Sequence, residues 1–178
     1  MDKLKIYLET TMFSFYYEDR QYSEYPKYKA QVRKVFDLIK VEEYELYTSP
    51  LTFREIAKET DSVKREKMTL LAVEYGILIL DESSEVNRVA GLYVQEGAIS
   101  PAWETDAVHI AMTTVNDLDF IVSLNFTHIA RPWTIEHARR VNKREGYQGI
   151  GIYTPMEVLE LYEDDAGILK RSPYVGRS

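Results

Sequence analysis

The chain has 178 residues, 45% of them hydrophobic and 29% charged, which suits one soluble domain with a buried core rather than two. It has no cysteine, which excludes disulfides, thiolate zinc sites and a cysteine nucleophile and fits a reducing cytoplasm. Its net charge of -7 argues against broad, sequence-blind binding to polyanions, so any nucleic-acid substrate has to be attracted by local charge and a bound cation.

The N-terminus, MDKLKIYLETT, lacks the apolar run and cleavage site of a secretory signal, and no membrane span is expected. LKIYL at 4–8 reads as a buried parallel strand, with Glu9 at its carboxyl end. A long polar, aromatic connection follows from Thr10 to Tyr25, and a helix then runs to about Lys40. Tyr16, Tyr17, Tyr22, Tyr25 and Tyr28 are read as packing this region, with base stacking as the less common use of such residues.

ELYTS at 45–49 is a second strand, and Ser49-Pro50 supplies an N-cap and a first-turn proline for a helix that carries Glu55. Asp61 caps the next helix, which ends at Gly76. ILIL at 77–80 is a third strand, followed by a helix over 84–95. Ser100-Pro101 repeats the cap-and-proline start and opens the helix bearing Asp106, where Ala107, Ile110, Ala111 and Thr114 fall on one core-facing stripe.

DFIVS at 119–123 is a fourth strand with Asn125 just beyond it. A helix over 134–144, a short strand GIGIY at 149–153 and the helix PMEVLELY complete the domain, read as residues 1–162, and 163–178 is read as a C-terminal tail. Alternating strands and helices predict a three-layer α/β/α sandwich around a mostly parallel four- to five-stranded sheet.

Glu9, Glu55, Asp106 and Asn125 lie far apart in the chain but at places that a parallel sheet gathers above one edge. Carboxylate and amide oxygens suit Mg2+ or Mn2+, and carboxylates brought together repel unless a cation stands between them. Such a cation polarises phosphoryl oxygens, which points to phosphodiester hydrolysis. Taken singly, each residue has an ordinary explanation: a strand-end or helix glutamate, an aspartate at the positive end of a helix dipole, a turn asparagine.

The segments IYLETTMFSFYY, TSPLTFREI, TDAVHIAMT, DFIVSLNFTHI and YTPMEVLEL, in this order, resemble the PIN-domain family, across about Leu4 to Leu161. The wording ETT with LNFTHI is similar to a poorly characterised bacterial branch of that family. The resemblance implies a PIN-like fold and a metal-dependent endoribonuclease of the kind found as the toxin in toxin–antitoxin pairs. It implies RNA as substrate, a small antitoxin as partner, and a homodimer. Glu9, Glu55 and Asp106 match the family's acidic metal ligands, Asn125 falls on the fourth acidic position, and Thr10, Thr11 and Ser123 match hydroxyls near the site.

Two departures matter. Glutamate replaces the usual aspartate at position 9 and moves the carboxylate by more than about 1 Å, and Asn125 removes a charge while keeping a carbonyl ligand. One-metal hydrolysis or a weakened enzyme follows, and a scaffold that binds RNA or protein without turnover is the alternative. A nucleotide-binding fold is disfavoured because the chain has neither GxGxxG nor a Walker lysine loop.

His109, one turn after Asp106, either orients that carboxylate or packs in the core, and His128 is read as fixing the loop after the fourth strand. Arg139, Arg140, Lys143 and Arg144 form a basic run that is either a solvated helix face or a phosphate-contacting one.

Overall fold

The computed structural model describes residues 3–39 and 44–162. The tail read at 163–178 lies outside these residues, as does the helix end placed at Lys40. Five strands form one parallel sheet: β1 (Leu4–Leu8), β2 (Tyr44–Thr48), β3 (Leu78–Ile79), β4 (Phe120–Val122) and β5 (Gly151–Tyr153), in the order β3-β2-β1-β4-β5. The chain steps outward from β1 through β2 to β3 and then returns to the other side of β1 for β4 and β5. The topological switch therefore falls between β1 and β4, where open α/β sheets place their ligands.

Parity within β1 assigns the two faces. Ile6 and Leu8 pack with Phe120 and Val122 against α1 (Thr10–Tyr16), α2 (Tyr25–Ile39), α3 (Pro50–Ile56), α4 (Ser62–Glu74) and α8 (Pro155–Tyr162). Tyr7 and Ile121 face α5 (Ser84–Gln95), α6 (Glu104–Val115) and α7 (Pro132–Glu145). This is a three-layer α/β/α sandwich. On α6, the stripe of Ala107, Ile110, Ala111 and Thr114 is buried.

Four local expectations are corrected. The stretch read as a long connection from Thr10 contains α1, whose sequence TTMFSFY is rich in β-branched and aromatic residues of modest helix propensity. It is held by burial of Met12 and Phe13 and by Glu9, whose side chain accepts from Thr11 N as an N-cap. Ser49 and Ser100 stand at the starts of their helical segments, but neither side chain bonds a helix N–H. Pro101 opens a short 3-10 turn (Pro101–Trp103), and α6 begins only at Glu104.

The tyrosines of the α1–α2 region pack together: Tyr16 lies edge-on to Tyr17 and Phe36, and Phe15 to Tyr28. At the end of α7, Gly146 takes a left-handed φ of 79°, which glycine adopts without strain. Among the described residues, no helix is long and apolar enough to cross a membrane.

Candidate functional site

The register of the sheet sets the site. Tyr7 pairs with Tyr47 and Leu8 with Val122, so Glu9 emerges from β1 between Ser49 after β2 and Ser123 after β4. Its backbone stays extended (φ -76°, ψ 159°), and its N–H donates to Val122 O at 3.2 Å, prolonging the ladder by one bond. Alternation then carries Glu9 to the side of Tyr7, beneath α6.

Glu9 is buried, and its Oε2 receives Thr11 N at 3.0 Å, Ser123 Oγ at 2.8 Å and the hydroxyl of Thr11. Burial pushes its carboxyl above the ordinary range, and the His109 charge with these donors draws part of that shift back. Thr11 also accepts Leu124 N at 2.8 Å, and Ser123 Oγ accepts Asn125 N at 2.9 Å. These two hydroxyls tie the loop leaving β4 to the carboxylate at the end of β1.

Glu55 reaches the same place from α3. Its Oε1 accepts from Thr10 Oγ1 at 2.7 Å and meets His109 Nε2 at 2.5 Å. His109 has no solvent exposure, and its Nδ1 lies 2.8 Å from Tyr7 OH, which is 2.8 Å from Ser49 Oγ. Burial acts to lower the His109 pKa, but Tyr7, the Glu55 hydrogen bond and the charges of Glu9 and Glu55 outweigh it and hold it well above the usual histidine value. For Glu55, burial raises the carboxyl, and the hydrogen bond and charge of His109 reverse the balance and keep it low.

Asp106 and Asn125 form the adjoining wall. Asp106, buried one turn before His109 on α6, has Oδ2 3.0 Å from His128 Nδ1, and Asn125 Oδ1 accepts His128 N at 2.9 Å. Burial raises the Asp106 carboxyl, while the charges of His109 and His128 and a hydrogen bond from Asn125 lower it in part. Trp103, half exposed, stacks on His128 with ring centroids 4.4 Å apart.

Glu9, Glu55 and His109 therefore share one pocket, and the His109 charge acts on Asp106 as well. Of the other expected residues, Thr10 bonds Glu55, Thr11 and Ser123 bond Glu9, and Asn125 holds His128 and Asp106. His109 brings a ring nitrogen to within 4.8 Å of a carboxylate oxygen of Glu9 and one of Glu55.

Arg139, Arg140, Lys143 and Arg144 are exposed on α7. Arg140 pairs with Glu136, and Arg144 with Glu96 and Glu145. At about 1.5 Å per residue, α7 carries these four roughly 10–18 Å from its first turn, and a helix following a parallel strand runs away from the edge where Glu9 lies.

Tyr7 and Ser49 were missed as site residues. In sequence Tyr7 is a core strand residue and Ser49 a helix cap, and no local pattern signals that the two meet.

The donor set fits a divalent cation. One oxygen of Glu9, one of Glu55 and a ring nitrogen of His109 all lie within 4.8 Å of one another. Fold and site together define a doubly wound α/β protein with a carboxylate–imidazole pocket at its switch point.

No family model matches the chain, and no curated protein does. Among solved structures, a chain of DNA-bound VapBC from Salmonella typhimurium is similar at 20% identity and a TM-score of 0.49, covering 85% of this chain and 98% of that one. A chain of VapBC2 from Rickettsia felis, bound to a DNA fragment from its promoter, is similar at 11% identity with the same TM-score and coverage.

Proposed function

We propose that this protein is a divalent-cation-dependent endoribonuclease of the PIN type. The observation that carries this reading is the convergence of Glu9, Glu55 and His109 within 4.8 Å at the switch point, with Asp106 in reach of the same imidazole. Mg2+ or Mn2+ bound there supplies Lewis-acid polarisation of a phosphoryl oxygen and lowers the pKa of water at the reacting centre. Glu9, Glu55 and Asp106 provide the negative charge that attracts the ion into an otherwise acidic protein.

The remaining residues fix geometry. Thr11 and Ser123 orient Glu9, Thr10 orients Glu55, and Asn125 holds the His128 loop against Asp106. A cytoplasmic toxin, countered by a small antitoxin and dimeric, is the biological setting that the sequence resemblance suggests.

A second reading has a specific observation in its favour. Glu55 is paired with His109 at 2.5 Å without any ion, so the pocket is also compatible with a scaffold that binds RNA or protein and does not turn over. Incubating purified protein with single-stranded RNA in Mn2+, with and without chelator, decides. Internal cleavage that disappears with chelator supports the nuclease, and intact RNA alongside no stoichiometric Mn2+ uptake in calorimetry favours the scaffold.

A further inference from the structure

We infer that His109 is itself a metal ligand, so that the site holds its cation through one oxygen of Glu9, one oxygen of Glu55 and Nε2 of His109, and selects ions that accept imidazole nitrogen over Mg2+. This inference rests on the cation-dependent reading above and adds to it which donor completes the set.

The ring can present only one nitrogen. Nδ1 is engaged by Tyr7 OH at 2.8 Å, and the Tyr7 hydroxyl continues to Ser49 Oγ at 2.8 Å, all inside the protein. With Tyr7 O–H donating to Ser49, Tyr7 oxygen accepts Nδ1–H. Metal-bound histidines have this arrangement, in which the far N–H is held by an outer partner that fixes tautomer and ring plane. Tyr7 also meets the imidazole edge-on at 5.7 Å between centroids, which restricts rotation of the ring. Nε2 is thereby left to face Glu55, 2.5 Å from its Oε1, within the group that also includes a Glu9 oxygen.

Donors about 2.0–2.3 Å from one ion stand within roughly 4.6 Å of each other. The observed separations all lie within 4.8 Å, and the shortest, 2.5 Å between Glu55 Oε1 and His109 Nε2, widens as the ion enters and the proton held between them leaves to solvent. Asp106 lies outside this three-donor group, with its carboxylate engaged by His128 and Asn125. Nitrogen is therefore the third donor. Mg2+ prefers an all-oxygen octahedron, whereas Mn2+ and Co2+ accept mixed nitrogen and oxygen ligands, the affinity for such a site rising along the first row.

The test uses the intact protein loaded with one equivalent of Mn2+ and pulsed electron paramagnetic resonance. The expected result is a directly coordinated 14N coupling in the wild type that converts to 15N when histidine alone is labelled, persists in His128→Gln and vanishes in His109→Gln. Tyr7→Phe, which removes only the outer partner, should weaken Mn2+ binding by about tenfold or more. Should His109→Gln fail to fold, the labelled wild type and Tyr7→Phe decide the matter. Stoichiometric Mn2+ without nitrogen coupling would overturn the ligand assignment and leave the cation-dependent reading standing. No stoichiometric Mn2+ binding at all would overturn both.

Discussion

Ser123 donates its hydroxyl to Glu9 Oε2 at 2.8 Å across the seam between β1 and β4, so the strands flanking the switch point are joined through a single buried carboxylate. That oxygen also receives Thr11 from α1. Three chain segments are fixed relative to one another by one side chain, which makes Glu9 both a structural bolt and a site residue.

Ser123→Ala should therefore affect stability and binding together. It removes one donor from a buried carboxylate and leaves Asn125 N without its acceptor. The expected loss is about 1–3 kcal/mol of stability, with Mn2+ affinity reduced roughly tenfold or more. Thermal unfolding and calorimetric titration read the two effects. An unchanged thermal midpoint would show that the hydroxyl contributes nothing there.

Asp106→Asn should abolish turnover while sparing the fold. Burial already disfavours the ionised form of Asp106, and asparagine keeps the shape and an acceptor for His128. Mn2+-dependent RNA cleavage should fall by roughly a hundredfold or more, with little change in thermal midpoint. Equal cleavage by the variant would remove Asp106 from the site.

Acid stability should carry a signature of Glu18. The carboxylate is buried and receives Arg20 Nε at 2.8 Å, Arg20 NH2 at 2.6 Å and Arg20 N at 3.0 Å, and Arg20 in turn lies over the Tyr25 ring. The Arg20 hydrogen bond is the main cause that lowers the Glu18 pKa to about 2. Because the folded value lies below the unfolded one, its stabilisation is present above about pH 4.5 and is lost as pH falls toward about 2. Glu18→Gln should cost on the order of 1–2 kcal/mol near neutrality and flatten the stability profile below pH 4.5, as measured by urea unfolding across pH.

Tyr93→Phe offers a control remote from the pocket. Tyr93 OH donates to Asn142 Oδ1 at 2.5 Å and lies 2.8 Å from Thr114 Oγ1, all buried between α5, α6 and α7. Losing that hydroxyl strands a buried acceptor and should cost about 1–3 kcal/mol, leaving Mn2+ affinity intact. A parallel loss of affinity would mean that this helical layer and the pocket are coupled.

Strands and capped helices were legible because they depend on local alternation and terminal residues. Asp61 caps α4 through Val63 N and Lys64 N, and LKIYL forms β1. The helix α1 was not legible, since its residues favour extended structure and its cap is a glutamate that also belongs to the site. At the pocket, Glu9, Glu55 and Asp106 stood out as oxygen ligands at strand and helix ends. The role of His109 did not, because it is defined by Tyr7 on one ring nitrogen and Glu55 on the other, residues from β1 and α3 that meet α6 only in the folded chain.

The contact between His109 and Glu55 also bears on the order of events in the life of the molecule. Glu55 finds a partner in His109, and Glu9 finds donors in Thr11 and Ser123, all within the polypeptide, so synthesis and folding need not await an ion from solution. Loading with a cation becomes a separate, later step that can be withheld or reversed while the architecture stays intact.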